Sequence, residues 1–206
     1  MRELRAKLLE RLHDVELPPS EEPTRGDFDL NPEWRQKRPP AELTAAAVLV
    51  PIVNRNGSPG IIFTQRTSHL NAHAGQVSFP GGRIETHDDN PIAAALRESE
   101  EEIGLELEHV DVIGLLDTYQ TGTNYIVTPV VGLVSSDFEP KLDAFEVEEI
   151  FEVPLDHALD RSNFVRETRD VGEFTRIFYA IYYEEWRIWG ATAGMLFDLV
   201  ERMGRE

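Results

Sequence analysis

One stretch, Gly81 to Leu105, constrains this chain more than any other. Gly81-Gly82-Arg83 opens it, an acidic loop through His87-Asp88-Asp89 follows, and Pro91 to Ile103 reads as a helix. Asn90 suits the N-cap, Pro91 the first helical position and Gly104 the left-handed stop. Ile92, Leu96, Ser99 and Ile103, with Ala95 beside them, form the expected core-facing stripe. At about 100° per residue, Glu102 lies about 40° from Glu98 and Glu101 about 60° the other way. Glu98, Glu101 and Glu102 therefore share an arc of about 100°, while Glu100 points about 160° away. Arg97 stands one turn before Glu101 and can pair with it.

Carboxylates crowded on one short arc repel one another. A hard divalent cation relieves this, because Mg²⁺ and Mn²⁺ prefer oxygen ligands and leave positions for phosphate oxygens. The glutamates alone are equally a solvated acidic face. The glycine pair, placed after the strand Val77 to Phe79, adds a cradle where backbone can approach a metal or phosphate without an intervening Cβ.

The rest of the chain frames this stretch. Residues 1–13 read as a short amphipathic helix, with Leu4, Leu8 and Leu12 at four-residue spacing and Leu9 beside them. Residues 14–40 form an extended arm, broken by Pro18, Pro19, Pro23, Pro32, Pro39 and Pro40. Phe28, Leu30 and Trp34 are its candidate anchors, on the domain or on a partner subunit. Residues 1–42 are thus read as helix plus arm and 43–206 as the compact domain. Strands are expected at 44–53, 61–66, 77–79, 110–119, 125–134 and 150–153. Two further strands, 164–169 and 174–182, make a hairpin across Gly172. Helices are expected after Pro154 and from Ala191 to Met203. This mixture predicts an α/β (α+β) sandwich, a mixed sheet packed between helices.

Composition narrows the chemistry further. With no cysteine, thiolate metal sites and a Cys nucleophile are out. No stretch reaches the roughly 18 apolar residues of a membrane span, and the start of the chain lacks a secretory pattern. A cytoplasmic location is expected. A formal net charge of -18 disfavours nucleic acid and anionic membranes as partners. It leaves room for a small anionic substrate where a cation and local arginines reverse the field.

The combination of Gly82, Arg97, Glu98, Glu101, Glu102, Gly104 and Leu105 resembles the Nudix box. This chain departs from the box in three ways. Asp88 stands for the first Glu, one extra residue separates Asp88 from Arg97, and Ser99 replaces an aliphatic residue. The longer loop leaves Asp88 without an assigned role. The resemblance implies a pyrophosphohydrolase of Nudix-type α/β/α architecture in which Mg²⁺ or Mn²⁺ sits on Glu98, Glu101 and Glu102 beside Gly82. Arg97 would orient a carboxylate. Glu98 or Glu102 could take the proton of the attacking water, with Glu146 and Glu149 as alternatives from a later loop.

Immediately upstream, Ile62-Phe63-Thr64-Gln65-Arg66-Thr67, Gly75 and Phe79-Pro80-Gly81-Gly82 are similar to the extra motif of coenzyme A pyrophosphatases. Thr67 stands where that subfamily has Ser and Asn71 where it has Arg. His69, His73 or Arg83 are candidates to replace the missing guanidinium. Tyr125 to Gly132 and Ile188 to Gly194 carry the same likeness. It implies a small-molecule substrate, coenzyme A or a related nucleotide, contacted by Arg66, Thr67, Gly81, Gly82 and Arg83. Arg66, ending a strand near the glycines, could fork onto a phosphate in any case. Two other readings stand beside this one. The first is a Nudix pyrophosphatase for another nucleotide, such as ADP-ribose, to which the Asn71 departure points. The second is a binding protein that kept the shape and lost catalysis, which the intact glutamates disfavour. The apolar residues of the arm hint at a homodimer.

Overall fold

The computed structural model describes residues 1–15, 22–33, 43–69, 74–172 and 174–204. Trp34, Asn71, His73, Pro18, Pro19, Pro39 and Pro40 lie outside the described residues. The strands are β1 Arg25–Gly26, β2 Thr44–Arg55, β3 Ser58–Arg66, β4 Val77–Ser78, β5 Gly81–Arg83, β6 Val110–Leu115, β7 Tyr119–Gln120, β8 Tyr125–Val134, β9 Val147–Pro154, β10 Phe164–Val171, β11 Phe174–Tyr183 and β12 Trp186–Trp189. The helices are α1 Arg2–Arg11, α2 Pro91–Ile103, α3 Leu155–Leu159 and α4 Ala191–Gly204.

Strand β2 is the axis of a mixed sheet. Strand β8 runs parallel to it from Thr44 to Val53. On its other side, the first half of β2 pairs antiparallel with β5 and the second half with β3. Strands β4 and β9 pair with β3, β6 and β7 with β8, and β1 joins β7 in parallel. Buried on both faces, β2 reads as an almost unbroken apolar run. Successive side chains feed two cores, as strand alternation requires. Val50, Ile52, Ile61 and Phe63 pack with Leu8 of α1, Leu155 of α3 and Leu196 of α4. Ala47, Leu49, Val53 and Ile62 pack with Ala94, Ala95 and Ile103 of α2 on the opposite face. Each large side chain buried this way stabilises the fold by about 1.5–3 kcal/mol. The predicted α+β sandwich, a mixed sheet between helices, is what forms.

Helix α2 has the predicted limits. The Asn90 side chain accepts from the Ala93 N–H at 2.9 Å, and Gly104 (φ 69°) closes the C-terminus. The Leu105 N–H reaches back to the Ser99 carbonyl at 3.3 Å. The buried face differs from the predicted stripe. Ala94, Ala95, Ser99, Glu102 and Ile103 are buried, while Ile92 and Leu96 are half-covered. The alanines let the helix approach the sheet closely, and this rolls the Glu102 side inward. Ser99 fits the core because its hydroxyl donates to the Ala95 carbonyl at 2.7 Å.

The hairpin across Gly172 forms, and β12 joins it in a second, three-stranded sheet. Strand β12 escaped the sequence reading because its turn uses Glu184 in a left-handed conformation (φ 51°) where glycine would have given a signal. The predicted strand 110–119 is interrupted, with β6 ending at Leu115 and β7 starting at Tyr119.

The described part of the arm, residues 22–33, lies on its own domain and is held mainly by polar groups. Asn31 pairs with Ile177 of β11 much as a neighbouring strand would, giving its Nδ2–H at 2.7 Å and taking the Ile177 N–H at 2.8 Å. Arg25 reaches Asp198 at 3.1 Å and Glu201 at 2.9 Å on α4. Phe28 and Leu30, predicted as anchors, are only half-buried. No helix among the described residues is long and apolar enough to cross a membrane.

Candidate active site

The glycine pair lies in strand β5, which was not among the expected strands, with Gly81 opposite Val48 and Gly82 opposite Ala47. Each glycine answers a different steric demand. Gly81 has φ 149°, and a Cβ there would fall 2.4 Å from the Ala47 carbonyl oxygen. At Gly82 a Cβ would fall 2.4 Å from the Glu98 carboxyl carbon. The strand therefore lies directly on the acidic face of α2.

Glu102 is buried, at 3% exposure. It accepts from the Gly81 N–H at 3.2 Å and from Arg66 Nη1 at 3.2 Å. Loss of water pushes its pKa up to about 8, against the pull of Arg66 and the Gly81 amide, and Glu98 and Glu146 add repulsion. Burial also raises Glu98, although Arg97 Nη1 donates to it at 2.9 Å. Glu101 sits at the outer edge of the arc, exposed and paired with Arg97 at 3.0 Å. Two of the three predicted carboxylates thus face the glycine strand and the third looks outward.

Arg97 organises this end of the site. Its Nε and Nη2 fork onto the two Asp88 oxygens, each at 2.9 Å, and Nη2 also donates to the Arg83 carbonyl at 3.1 Å. The Arg97 bonds hold Asp88 low, at a pKa of about 2, helped by the Glu85 N–H. The residue left without a role by the longer loop therefore has one: it ties the loop to the helix. The signal in the sequence was an acid just before the helix with an arginine two turns into it.

Among the described residues no three His, Asp or Glu side chains converge as a ready-made metal cluster. The donors are nevertheless of the right kind for a hard divalent cation. Glu98 and Glu102 are dehydrated, mutually repelling carboxylates set against a strand whose missing Cβ leaves room for one of them. Cation binding would relieve that repulsion.

The upstream motif is largely a device for placing Arg66. Gly75 (φ 68°) turns the chain so that its N–H meets the Arg66 carbonyl at 3.1 Å and the Arg66 N–H meets Gln76 at 3.0 Å. Phe79 stacks on Phe63 with ring centroids 4.9 Å apart, and the Pro80 carbonyl takes the Leu49 N–H at 2.9 Å. Thr67, predicted to touch substrate, is buried and spends its hydroxyl on the Phe145 carbonyl at 2.8 Å. It fixes the loop that carries Glu146, whose carboxylate lies 3.9 Å from Arg66 Nη2. Glu149 lines a separate cleft with Gln65, Trp186 and Arg187. His69 lies edge-on to the exposed Phe145 ring, with centroids 4.8 Å apart.

A cleft of about 500 Å³ opens from the glycine strand. Arg66, Gly81, Gly82 and Arg83 line it, together with Phe79, Tyr125 and Trp189. Arg83 donates to the Tyr125 hydroxyl at 2.9 Å. Arg169 and Arg176, from the second sheet, complete its cationic lining and were not foreseen. They face each other by the register of the Gly172 hairpin, which counting outward from the turn would have given.

A NUDIX domain model matches residues 43–172. This chain is a Nudix hydrolase. It is 42% identical over 170 residues to an uncharacterized Nudix hydrolase, NudL, of Shigella flexneri, spanning 81% of this chain and 86% of that protein. Its identity to the NudL of Escherichia coli strain K12 is 43% over 162 residues, covering 77% and 82%. Among solved structures, a C. elegans Ap4A hydrolase binary complex covers 57% of this Nudix hydrolase and 84% of that chain at 20% identity, with a TM-score of 0.47. The NUDIX domain of Shewanella oneidensis NrtR with ADP ribose covers 63% and 86% at 16% identity, with a TM-score of 0.45. Membership makes the chain a pyrophosphohydrolase acting on small molecules, in a family that generally uses divalent metal ions.

Proposed function

We propose that this Nudix hydrolase cuts the pyrophosphate of coenzyme A, its thioesters or its oxidised form, releasing 4′-phosphopantetheine and 3′,5′-ADP. The observation that carries the pyrophosphatase chemistry is the seating of Glu98 and Glu102, both short of water, against Gly81 and Gly82 at an arginine-lined cleft. The coenzyme A assignment is supported by the Arg66, Gly75, Phe79 and Pro80 motif, whose members here combine to place one guanidinium in that cleft.

Glu98, Glu101 and Glu102, beside Gly82, would hold Mg²⁺ or Mn²⁺, which when bound supplies charge neutralisation and a more acidic water. The chain's own groups do the rest. Arg66 neutralises charge on a substrate phosphate and steadies Glu102. Arg97 fixes the rotamers of Glu98 and Glu101. Glu98 or Glu102 takes the proton of the attacking water, with Glu146 as the carboxylate offered by the later loop.

Incubating the purified protein with coenzyme A and Mn²⁺, then separating products by chromatography, tests the assignment. The expected product is 3′,5′-ADP, and none from metal-loaded protein would defeat it. A second reading, a Nudix pyrophosphatase for another nucleotide, rests on Asn71 standing where the subfamily has arginine. In a substrate panel at equal metal, a large preference for ADP-ribose or another nucleotide lacking pantetheine would favour it.

A further inference from the structure

The pyrophosphate chemistry leaves one cationic wall of the cleft unused. Arg169 of β10 and Arg176 of β11 are directly opposite in register, and both line the cleft. Like charges across a strand pair destabilise a sheet unless something negative lies between or against them. Arg176 has such a partner in Asp27 of the arm. Arg169 is exposed and makes no ion pair among the described residues.

The composition of the cleft is the second observation. The chain has 38 Asp and Glu against 20 Lys and Arg, yet among the described residues the cleft lining contains Arg66, Arg83, Arg169 and Arg176 and no carboxylate. Asp27 stands behind the wall with 6% exposure. Its Oδ2 takes Arg176 Nη2 and the Gly122 N–H, each at 2.5 Å, and its Oδ1 takes the Tyr119 hydroxyl at 3.0 Å. It thereby joins the 121–123 turn to β11, and both belong to the cleft wall. Asp27 and Arg176 lie outside the matched residues 43–172, whereas Arg169 and the 121–123 turn lie within them, so this wall joins the Nudix domain to the segments that flank it.

We infer that Arg169 and Arg176 form a second anion subsite, which takes a phosphomonoester that the substrate carries away from the bond being cut. Asp27 is its positioning residue. A guanidinium pair suits a dianionic phosphate, because planar, permanently charged N–H donors match its oxygens. Coenzyme A carries such a group on its ribose, so the choice of nucleotide rests on the function proposed above, while the anion site itself does not.

The test is equilibrium binding by calorimetry, using the full chain with adenosine 3′,5′-bisphosphate, AMP and inorganic phosphate. The bisphosphate is expected to bind about tenfold or more tightly than AMP, the scale of one charged hydrogen bond. Arg169→Ala should abolish that preference and leave AMP affinity unchanged. Arg169→Lys should keep part of it. Arg169 is exposed, so these variants should melt like the parent. Equal affinity for bisphosphate and AMP in the parent, or a preference that survives Arg169→Ala, would overturn the inference. So would inorganic phosphate binding as tightly as the bisphosphate. No turnover is needed, so failure of coenzyme A hydrolysis with a positive binding result would fault only the substrate, and the reverse pattern would fault only the subsite.

Discussion

Gly82 and Glu98 compete for one volume: the hydrogen of the glycine faces the carboxyl group, and a methyl there would sit 2.4 Å from its carbon. Gly82→Ala should therefore swing the Glu98 carboxylate away and cost activity more than stability, since the end of a flexible side chain can yield. Gly81→Ala meets backbone, the Ala47 carbonyl, at φ 149° and should cost about 1–3 kcal/mol of stability. Thermal melts alongside turnover separate the two. Equal loss of stability in both variants would refute this division.

The four candidate carboxylates should not behave alike. Glu98→Gln and Glu102→Gln are expected to lower kcat by about 10²–10⁴-fold, the range for a lost proton acceptor. Glu146→Gln should have a smaller but measurable effect, because it lies on the Arg66 side of the site. Glu149→Gln should leave kcat unchanged, because it faces another cleft. A collapse of activity on changing Glu149 would mean that the two clefts are wrongly assigned.

Stability should carry the signature of Glu102. Its pKa is about 8 in the fold against an ordinary 4.5, so between these values the folded state binds more protons than the unfolded one. Stability of the metal-free protein then falls as pH rises through that window, by on the order of a few kcal/mol. Melting temperatures of parent and Glu102→Gln, compared from about pH 5 to about pH 8, should converge at the acid end and separate at the alkaline end. Mn²⁺ should raise the parent's melting temperature most at the alkaline end. A pH dependence identical in the two proteins would contradict this account.

Asp88 acts in the opposite sense. Held at about 2 by the Arg97 fork, it stabilises the fold above its ordinary range, and that contribution is lost as pH falls toward 2. Asp88→Ala should cost about 2 kcal/mol at neutral pH, the worth of a charged hydrogen bond. Arg97→Lys should cost a similar amount, because an ammonium cannot span two oxygens while also holding Glu98 and Glu101. Urea unfolding at neutral pH would show it. Stability unchanged in either variant would mean that the loop is secured elsewhere.

The sequence showed most where local rules decide. Helix α2 was bounded by Asn90, Pro91 and Gly104, and β8 by the Thr121 to Asn124 turn; the structure has both at the expected limits. The glutamate arc followed from helical geometry alone. What escaped depended on partners distant in the chain. Thr67 resembled a substrate contact until Phe145, far along the chain, was seen to take its hydroxyl. Asp27 was not singled out in the sequence, yet it is buried against Tyr119, Gly122 and Arg176. The glycine pair was read for its openness to ligands, whereas strand pairing with β2 is what requires Gly81.

The bond between Asp88 and Arg97 also bears on how such proteins diverge. It ties a residue shortly before the Asn90 cap to the second turn of α2, so the helix starts at Asn90 whatever the length of the segment that joins Asp88 to the cap. Lengthening there can be absorbed as slack without shifting the register of Glu98 or Glu102 against β5. Spacing between the first acid and the arginine should therefore drift among descendants while the spacing within the helix stays rigid, and a search demanding one fixed interval would pass over functioning members of the lineage.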